Sequence, residues 1–348
     1  MRRFLTALVA LTVLFTASAQ EFTFPKGDWS VLSPKKSGYN PKKLAAIKEY
    51  ISNNMHTTGM VVIVGGKVLL EYGDLTQVSY IASCRKSVLA MMYGKYVENG
   101  TIDLDKTIGE LGVDDLQGLL PIEKRATIRN LITARSGVYH PASNSGDDAS
   151  NAPKRGSKEP GSYYLYNNWD FNVAGALFEE LTNQNIYEAF WNDIGKKIGL
   201  QDFKLSNQKK GGNIKYSKYR PYHIYISTRD MARIGYLMLR KGNWDGSQLI
   251  SHSWVDEMLT PHTPRNQMHR KAGSDYWEYG YMWWLWDKES SPHFLEGAYT
   301  AKGYKGQYIT VIPKLDMVVA HKTVVTGGRS TKWADYYKVL KMLYEAKN

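Results

Sequence analysis

Two apolar runs separated by a pair of glycines set the first element. Residues 60–64 (MVVIV) are all apolar, Gly65-Gly66-Lys67 follows, and residues 68–72 resume the pattern. β-Rich runs on either side of Gly-Gly predict a hairpin. Upstream, Asn40-Pro41 and the run to Ile51 predict a helix. Downstream, apolar residues at helical spacing run from Ser83 to a glycine stop at Asn99-Gly100, which puts Ser83 at a helix start. The middle of the chain reads as helix and loop, with helices over 127–133, 172–181, 228–239 and 253–259. The polar stretch 144–159 is too long for a plain connection and is expected to shape a site. Residues 307–313 and 317–322 resemble adjacent strands, and 332–346 a closing amphipathic helix. Strands at both ends with helices between predict an α/β (α+β) fold. Its sheet is built from both termini, about 20–82 and 287–348, around an inserted helical region, about 83–286.

The first 19 residues, MRRFLTALVALTVLFTASA, follow another pattern. Arg2 and Arg3 precede an apolar stretch of about 12 residues, short of the about 20 that a spanning helix needs. Ala17-Ser18-Ala19 is a small-residue cleavage site. This predicts a secretory signal peptide over 1–19 and a mature domain over 20–348, secreted or periplasmic, with no stable membrane anchor after cleavage. The one cysteine, Cys84, excludes an intramolecular disulfide framework. The formal charge of +12 is spread over scattered lysines without a long basic run, as expected of a soluble basic protein with no nucleic-acid partner.

Candidate chemistry starts at "SCRKS". Ser-x-x-Lys occurs three times, at Ser33/Lys36, Ser83/Lys86 and Ser206/Lys209. Residues three apart on a helix share a face, so Lys86 can reach the Ser83 hydroxyl. A serine hydroxyl attacks only once a base takes its proton. A lysine can be that base only when burial or nearby cations disfavour its charge. Arg85 points to another face and reads as structural. Tyr166-Asn167-Asn168 follows Pro160-Gly161 and precedes a helix; a tyrosine there can relay a proton, and an asparagine can meet a substrate amide. Gly303-Tyr304-Lys305-Gly306 leads into a strand. Its glycines let a substrate approach the backbone, and the Tyr304 amide can pair with that of Ser83 to hold an oxyanion. There is no His-Glu-x-x-His, no Gly-x-Ser-x-Gly and no Gly-x-Gly-x-x-Gly. The histidines, among them His223, His252 and His321, read as surface or packed residues. Cys84 reads as packing beneath the helix. The aromatic run 276–286 reads as core that in part walls the cleft.

Ser-x-x-Lys, then Tyr-x-Asn, then a glycine-rich strand is the order seen in serine β-lactamases and penicillin-binding proteins. "IASCRKSVLAMMYGKYVENGTIDLDKTI", "ATIRNLITARSGV", "PGSYYLYNNWDFNVAGALFEELT", "STRDMARIGYLMLRKGNWDGSQLISHSWV" and "YGYMWWL" together resemble class C β-lactamase-related serine hydrolases. The resemblance covers nearly all of the chain from Met60 to Lys322. It implies the β-lactamase/transpeptidase-like fold and no metal or organic cofactor. It implies Ser83 as nucleophile, Lys86 as its base, Tyr166 as acid/base partner and Asn168 as substrate contact. It also selects Ser83 from the three copies, because only Ser83 opens the right helix upstream of Tyr166.

One departure bears on substrate. The family's β-lactamases and D,D-peptidases carry Lys-Thr/Ser-Gly on the strand edge, where the lysine holds a substrate carboxylate. Here the residues are Ala301-Lys302-Gly303, so the lysine is displaced by one and turned to the other face. Lys305 is the nearby cation able to compensate. The expected substrate is a small ester, amide or peptide-like molecule, as in the esterase and linear-amide-oligomer hydrolase branch. The alternatives are a β-lactamase or D,D-peptidase acting on β-lactams or stem peptides, and a non-catalytic binding protein on the same fold.

Overall fold

Gly65 and Gly66 take positive φ angles of 57° and 77°. Two such residues make the turn that matches the twist of a hairpin, here between β1 (Gly59–Val64) and β2 (Lys67–Gly73). A Cβ on Gly66 would fall 1.9 Å from the Thr23 carbonyl oxygen, so no side chain fits there. The computed structural model describes residues 22–268 and 276–347. The expected signal peptide lies outside them.

Five further strands complete one sheet: β3 (Trp277–Tyr279), β4 (Trp284–Trp286), β5 (Tyr299–Gly303), β6 (Gln307–Ile312) and β7 (Met317–Lys322). Their order is β2-β1-β7-β6-β5-β4-β3, antiparallel throughout. Gly59 lies opposite Lys322 and Val64 opposite Met317, so the sheet closes between the two ends of the chain as expected. The boundary drawn at 287 needs correction. β3 and β4 come from the aromatic run assigned to the helical region. There Trp284 pairs with Tyr279 and Trp286 with Trp277, cross-strand aromatic pairs of the kind that stabilise a sheet. A largely apolar run, broken only by Glu278 and Gly280, has too little period to separate strand from buried helix.

Helix α1 (Pro41–Asn54) begins at Asn40, whose side chain accepts from the Lys42 and Lys43 amides at 3.0 and 3.3 Å, with Pro41 at the first helical position. Helix α2 (Cys84–Glu98) starts the inserted region and is buried on every face from Cys84 to Gly94. Helix α3 (Asn168–Thr182) follows the long polar segment, starting four residues earlier than expected. Helix α4 (Thr228–Leu239) also departs from the expected division, because it lies directly on the sheet. A Cβ on its Gly235 would be 2.5 Å from Val318 Cγ1 and 2.8 Å from Ile309 Cγ2. Helix α5 (Trp333–Glu345) covers the opposite face, where Tyr336 donates to Thr310 Oγ1 at 2.8 Å, and it pairs with α1 through Tyr50 and Asp335 at 2.9 Å. Among the described residues no helix is long and apolar enough to cross a membrane.

Candidate active site

Two elements aim Ser83. Residues Ser79–Tyr80 form a short ladder with Tyr225–Ile226, and Ile81 donates to the Ile224 carbonyl at 3.1 Å. The buried Lys322 at the end of β7 fixes this ladder, donating to the carbonyls of Ser79 (3.0 Å) and Ile226. Ala82 then takes φ 49°, a left-handed conformation that costs a non-glycine residue about 1–2 kcal/mol. Ser83 follows as the residue capping α2, yet its side chain makes no capping hydrogen bond. A serine at a helix start ordinarily spends its hydroxyl on a backbone amide. This one does not, which separates it from an ordinary cap. The other two copies of the motif are exposed, Ser33/Lys36 beside the 3₁₀ turn Lys35–Ser37 and Ser206/Lys209 beside Leu205–Asn207.

Lys86 is 1% exposed, one turn into α2. Its Nζ donates to the Tyr166 hydroxyl oxygen at 2.6 Å and to Asn168 Oδ1 at 2.7 Å. It also lies 3.9 Å from the centre of the Tyr166 ring and 4.1 Å from that of Phe171. Burial, and then the neighbouring Arg85 cation, push the Lys86 amine well below its usual range; Asp147, Asp148 and Asp170 pull the other way. Burial raises the Tyr166 phenol, and the Ser83 hydroxyl facing it offsets part of that rise. Burial also raises the Asp170 carboxyl, which accepts from Ser136 Oγ at 2.7 Å.

The polar segment before α3 holds Tyr166 and Asn168 in place. The Asp148 amide donates to the Tyr166 carbonyl at 2.9 Å, and the Asn168 amide to Asp147 Oδ2 at 3.0 Å. Asn167 caps α3 by accepting from the Trp169 amide at 3.0 Å. Asn168, expected to meet substrate, is buried and spends its carboxamide on the protein. Its oxygen takes the Lys86 proton donor, and its nitrogen donates to the Ser145 carbonyl at 2.9 Å. In this arrangement Asn168 orients Lys86 from the buried first turn of α3.

The strand edge closes the site from the other side. A Cβ on Gly303 would fall 2.6 Å from the Ile81 carbonyl oxygen and 3.2 Å from Ala82 Cβ, so the end of β5 lies directly against the residues before Ser83. Among the described residues, neither the Ser83 nor the Tyr304 amide donates to a protein acceptor. Ala301 is fully buried, its carbonyl facing the Cys84 thiol at 3.4 Å. Burial pushes that thiol up, in keeping with a packing role. Lys302 turns to the α5 face, as expected, with Nζ 4.4, 4.9 and 4.5 Å from the ring centres of Trp277, Trp284 and Trp333. Trp284 packs on Tyr166 with centroids 5.3 Å apart. The Tyr304 ring is 63% exposed at the hairpin tip, and Lys305 lies over it at 5.4 Å.

A serine, a buried amine and a tyrosine brought together where the end of β5 meets the start of α2 place the chain in a known class, and comparison decides which. The family model described as Beta-lactamase matches residues 45–331. The chain belongs to the beta-lactamase family. That family consists of serine hydrolases, and this member is an enzyme of that class on the same fold. Among solved structures it is similar to a putative 6-aminohexanoate-dimer hydrolase from Bacillus anthracis (TM-score 0.63, 18% identity, 92% of this chain and 87% of that chain). It is also similar to a family VIII carboxylesterase (0.65, 12%, 91% and 99%) and to a penicillin-binding protein from Bacillus halodurans (0.62, 17%, 86% and 99%).

In this family member the structure sets Lys86 against Tyr166, Ser83 facing Tyr166, and Gly303 against the residues before Ser83, while the Tyr304 side chain is exposed at the hairpin tip. Sequence reasoning read Arg85 as structural and did not foresee its full burial, although the apolar run around it carried that signal. It also missed Asp147, whose role depends on a loop path that no local pattern encodes.

Proposed function

We propose that this beta-lactamase family member hydrolyses a small ester or amide through an acyl-enzyme on Ser83. The observation that carries this reading is the pair of contacts around Lys86: an amine buried among Tyr166, Phe171 and Asn168, without a carboxylate partner among the described residues. Burial disfavours the charged form of such an amine and so favours its acting as a proton acceptor. The Ser83 proton passes to Lys86, directly or across the Tyr166 oxygen, as Oγ bonds to the substrate carbonyl carbon. The Ser83 and Tyr304 amides hold the oxyanion, and such donors are worth about 10²–10³ in rate each. The proton then passes by way of Tyr166 to the leaving alcohol or amine as its bond to carbon breaks. Water then attacks the acyl carbon as Lys86 takes its proton, the acyl C–Oγ bond breaks to release the acid, and that proton returns to Oγ, restoring Ser83.

The substrate class follows from the strand edge. Ala301 provides no cation, and Lys302 is turned away among three indoles. A β-lactam or D-alanyl carboxylate would lack a charge-assisted hydrogen bond worth roughly 1.5–3 kcal/mol. Solved neighbours on this fold include a putative 6-aminohexanoate-dimer hydrolase and a carboxylesterase beside a penicillin-binding protein, so the preference for ester or amide rests on the strand edge. The sequence of residues 1–19 supports export to the periplasm or beyond.

The test is intact-mass analysis of the full chain after treatment with a fluorophosphonate, together with p-nitrophenyl butyrate and nitrocefin turnover. Ser83→Ala is expected to lose both label and turnover with its fold kept, and the ester is expected to have the higher kcat/KM. Equal labelling of the variant would sink Ser83 and favour a binding protein on this fold. A higher kcat/KM for nitrocefin, reduced by Lys305→Ala, would instead identify a β-lactamase.

A further inference from the structure

Arg85 is a charge that the mechanism above leaves unused. It is 1% exposed, and among the described residues no carboxylate lies within ion-pair distance of it. Nη2 donates to Asn172 Oδ1 at 3.0 Å, while Nε and Nη1 have no hydrogen-bond acceptor. The guanidinium carbon lies 4.3 Å from the centre of the Tyr222 ring, with Tyr80 and Tyr187 beside it. Burying a cation without a counter-ion costs stability that a methionine of similar length would not. A guanidinium also stays charged at every working pH. Its partners are all neutral: one carboxamide and three tyrosines. Nothing in that shell cancels its field.

The field falls on the adjacent residue. We infer that Arg85 is a positioning residue whose permanent charge, kept unpaired by Asn172 and the surrounding tyrosines, adds to burial in holding Lys86 in its neutral, proton-accepting form. The inference rests on Lys86 being the base for Ser83. The groups that act on Lys86 come from three elements. Arg85 is on α2, Asp147 and Asp148 are in the polar segment, and Tyr166, Asn168, Phe171 and Asp170 are at the start of α3. The three carboxyls favour the ammonium. Asp170 does so weakly, since burial keeps its own carboxyl protonated to higher pH. Arg85 is the one cation set against them. The choice of Asn at 172 then has a reason: an aspartate there would pair with Arg85 and leave the carboxylates unopposed.

The test is the rate of fluorophosphonate labelling of Ser83 as a function of pH, on the full chain. In that step the Oγ–P bond forms, fluoride leaves and the Ser83 proton goes to Lys86. The rate therefore falls as pH drops through the Lys86 pKa. Arg85→Gln is expected to move that acid limb upward by roughly one to two pH units, the size of a Coulomb term between neighbouring buried charges. On the acid side of the limb, labelling falls about ten- to a hundred-fold with it, one pH unit being tenfold. Arg85→Lys, which keeps a cation, is expected to bring the limb back toward the wild-type position. Asn172→Asp is expected to move it upward with Arg85 still present, and so decides the matter should Arg85→Gln fail to fold. Folded Arg85→Gln or Asn172→Asp protein whose limb stays within a few tenths of a unit of wild type would overturn the inference. Undiminished labelling of Lys86→Ala would overturn the separate reading of Lys86 as base, whatever Arg85 does.

Discussion

Two buried lysines flank Ser83, and they differ in what they touch. Lys322 lies before it, donating to the carbonyls of Ser79 and Ile226. Lys86 lies after it, donating to Tyr166 and Asn168. Both are about 1% exposed, and burial lowers both, Lys322 to about 7. Burial of an amine is therefore not enough to mark a catalytic base. A carbonyl only accepts, so Lys322 faces groups that cannot carry a proton onward. A phenol oxygen both accepts and donates, so Lys86 faces a group that can. The first lysine locks the ladder leading to Ser83, and the second is placed to trade protons with it.

The largest effect expected to sharpen this contrast is in activity. Lys86→Ala is predicted to lower kcat by about 10²–10⁴-fold with a small change in melting temperature. Lys322→Met is predicted to leave kcat within about tenfold and act on stability. Ester-hydrolysis kinetics and thermal melts on both variants check this; comparable losses of kcat would erase the distinction. Tyr166→Phe comes next, with a loss of about 10²-fold or more that does not add to that of Lys86→Ala, because both serve one proton path. A double variant whose loss equals the product of the single losses would separate the two residues.

The third prediction concerns pH and stability. The folded Lys322 pKa, about 7, is depressed below its unfolded value near 10.5. The unfolded chain therefore binds the extra proton between these limits. The cost of burial is fully present below about pH 7 and is relieved as pH rises toward about 10.5, by several kcal/mol at about 1.4 kcal/mol per unit. In urea unfolding at pH 7 and pH 9.5, the stability of Lys322→Met relative to wild type is expected to fall as pH rises. A difference independent of pH would mean that Lys322 is not buried as an amine. The smallest effect is at Ala82. Ala82→Gly removes a left-handed alanine, expected to change stability by about 1 kcal/mol or less in the stabilising direction. It also loosens the link that aims Ser83, so a modest fall in kcat should accompany it.

The contrast between the lysines also shows what could be read from residues alone. The helix that Ser83 opens and the hairpin at Gly65-Gly66 were legible because they rest on local spacing and on residues that only one backbone shape accepts, whereas the choice of Ser83 among three Ser-x-x-Lys copies rested on the family resemblance. The resemblance of the Tyr166 segment to its family supplied the partner that spacing could not. Lys322 gave no signal, since nothing in the last strand says that its side chain will cross to Ser79. Strands β3 and β4 were hidden because the large aromatic residues of 276–286 hold no clear period. The burial of Asn168 was not legible because it depends on Asp147 and the loop path, set by tertiary contacts.

The pairing of Thr58 with Lys322, 264 residues later in the chain, has a consequence for the order of assembly. The first strand has its second neighbour only when the last one has been made, and the lysine that pins Ser79 arrives with it. Contacts so distant in sequence close late, because the entropy of joining the ends must be met before any gain. A nascent or truncated chain ending before residue 322 therefore lacks both the complete seventh strand and the lysine that braces the Ser83 segment, so the sheet beside the site is completed only with the end of the chain.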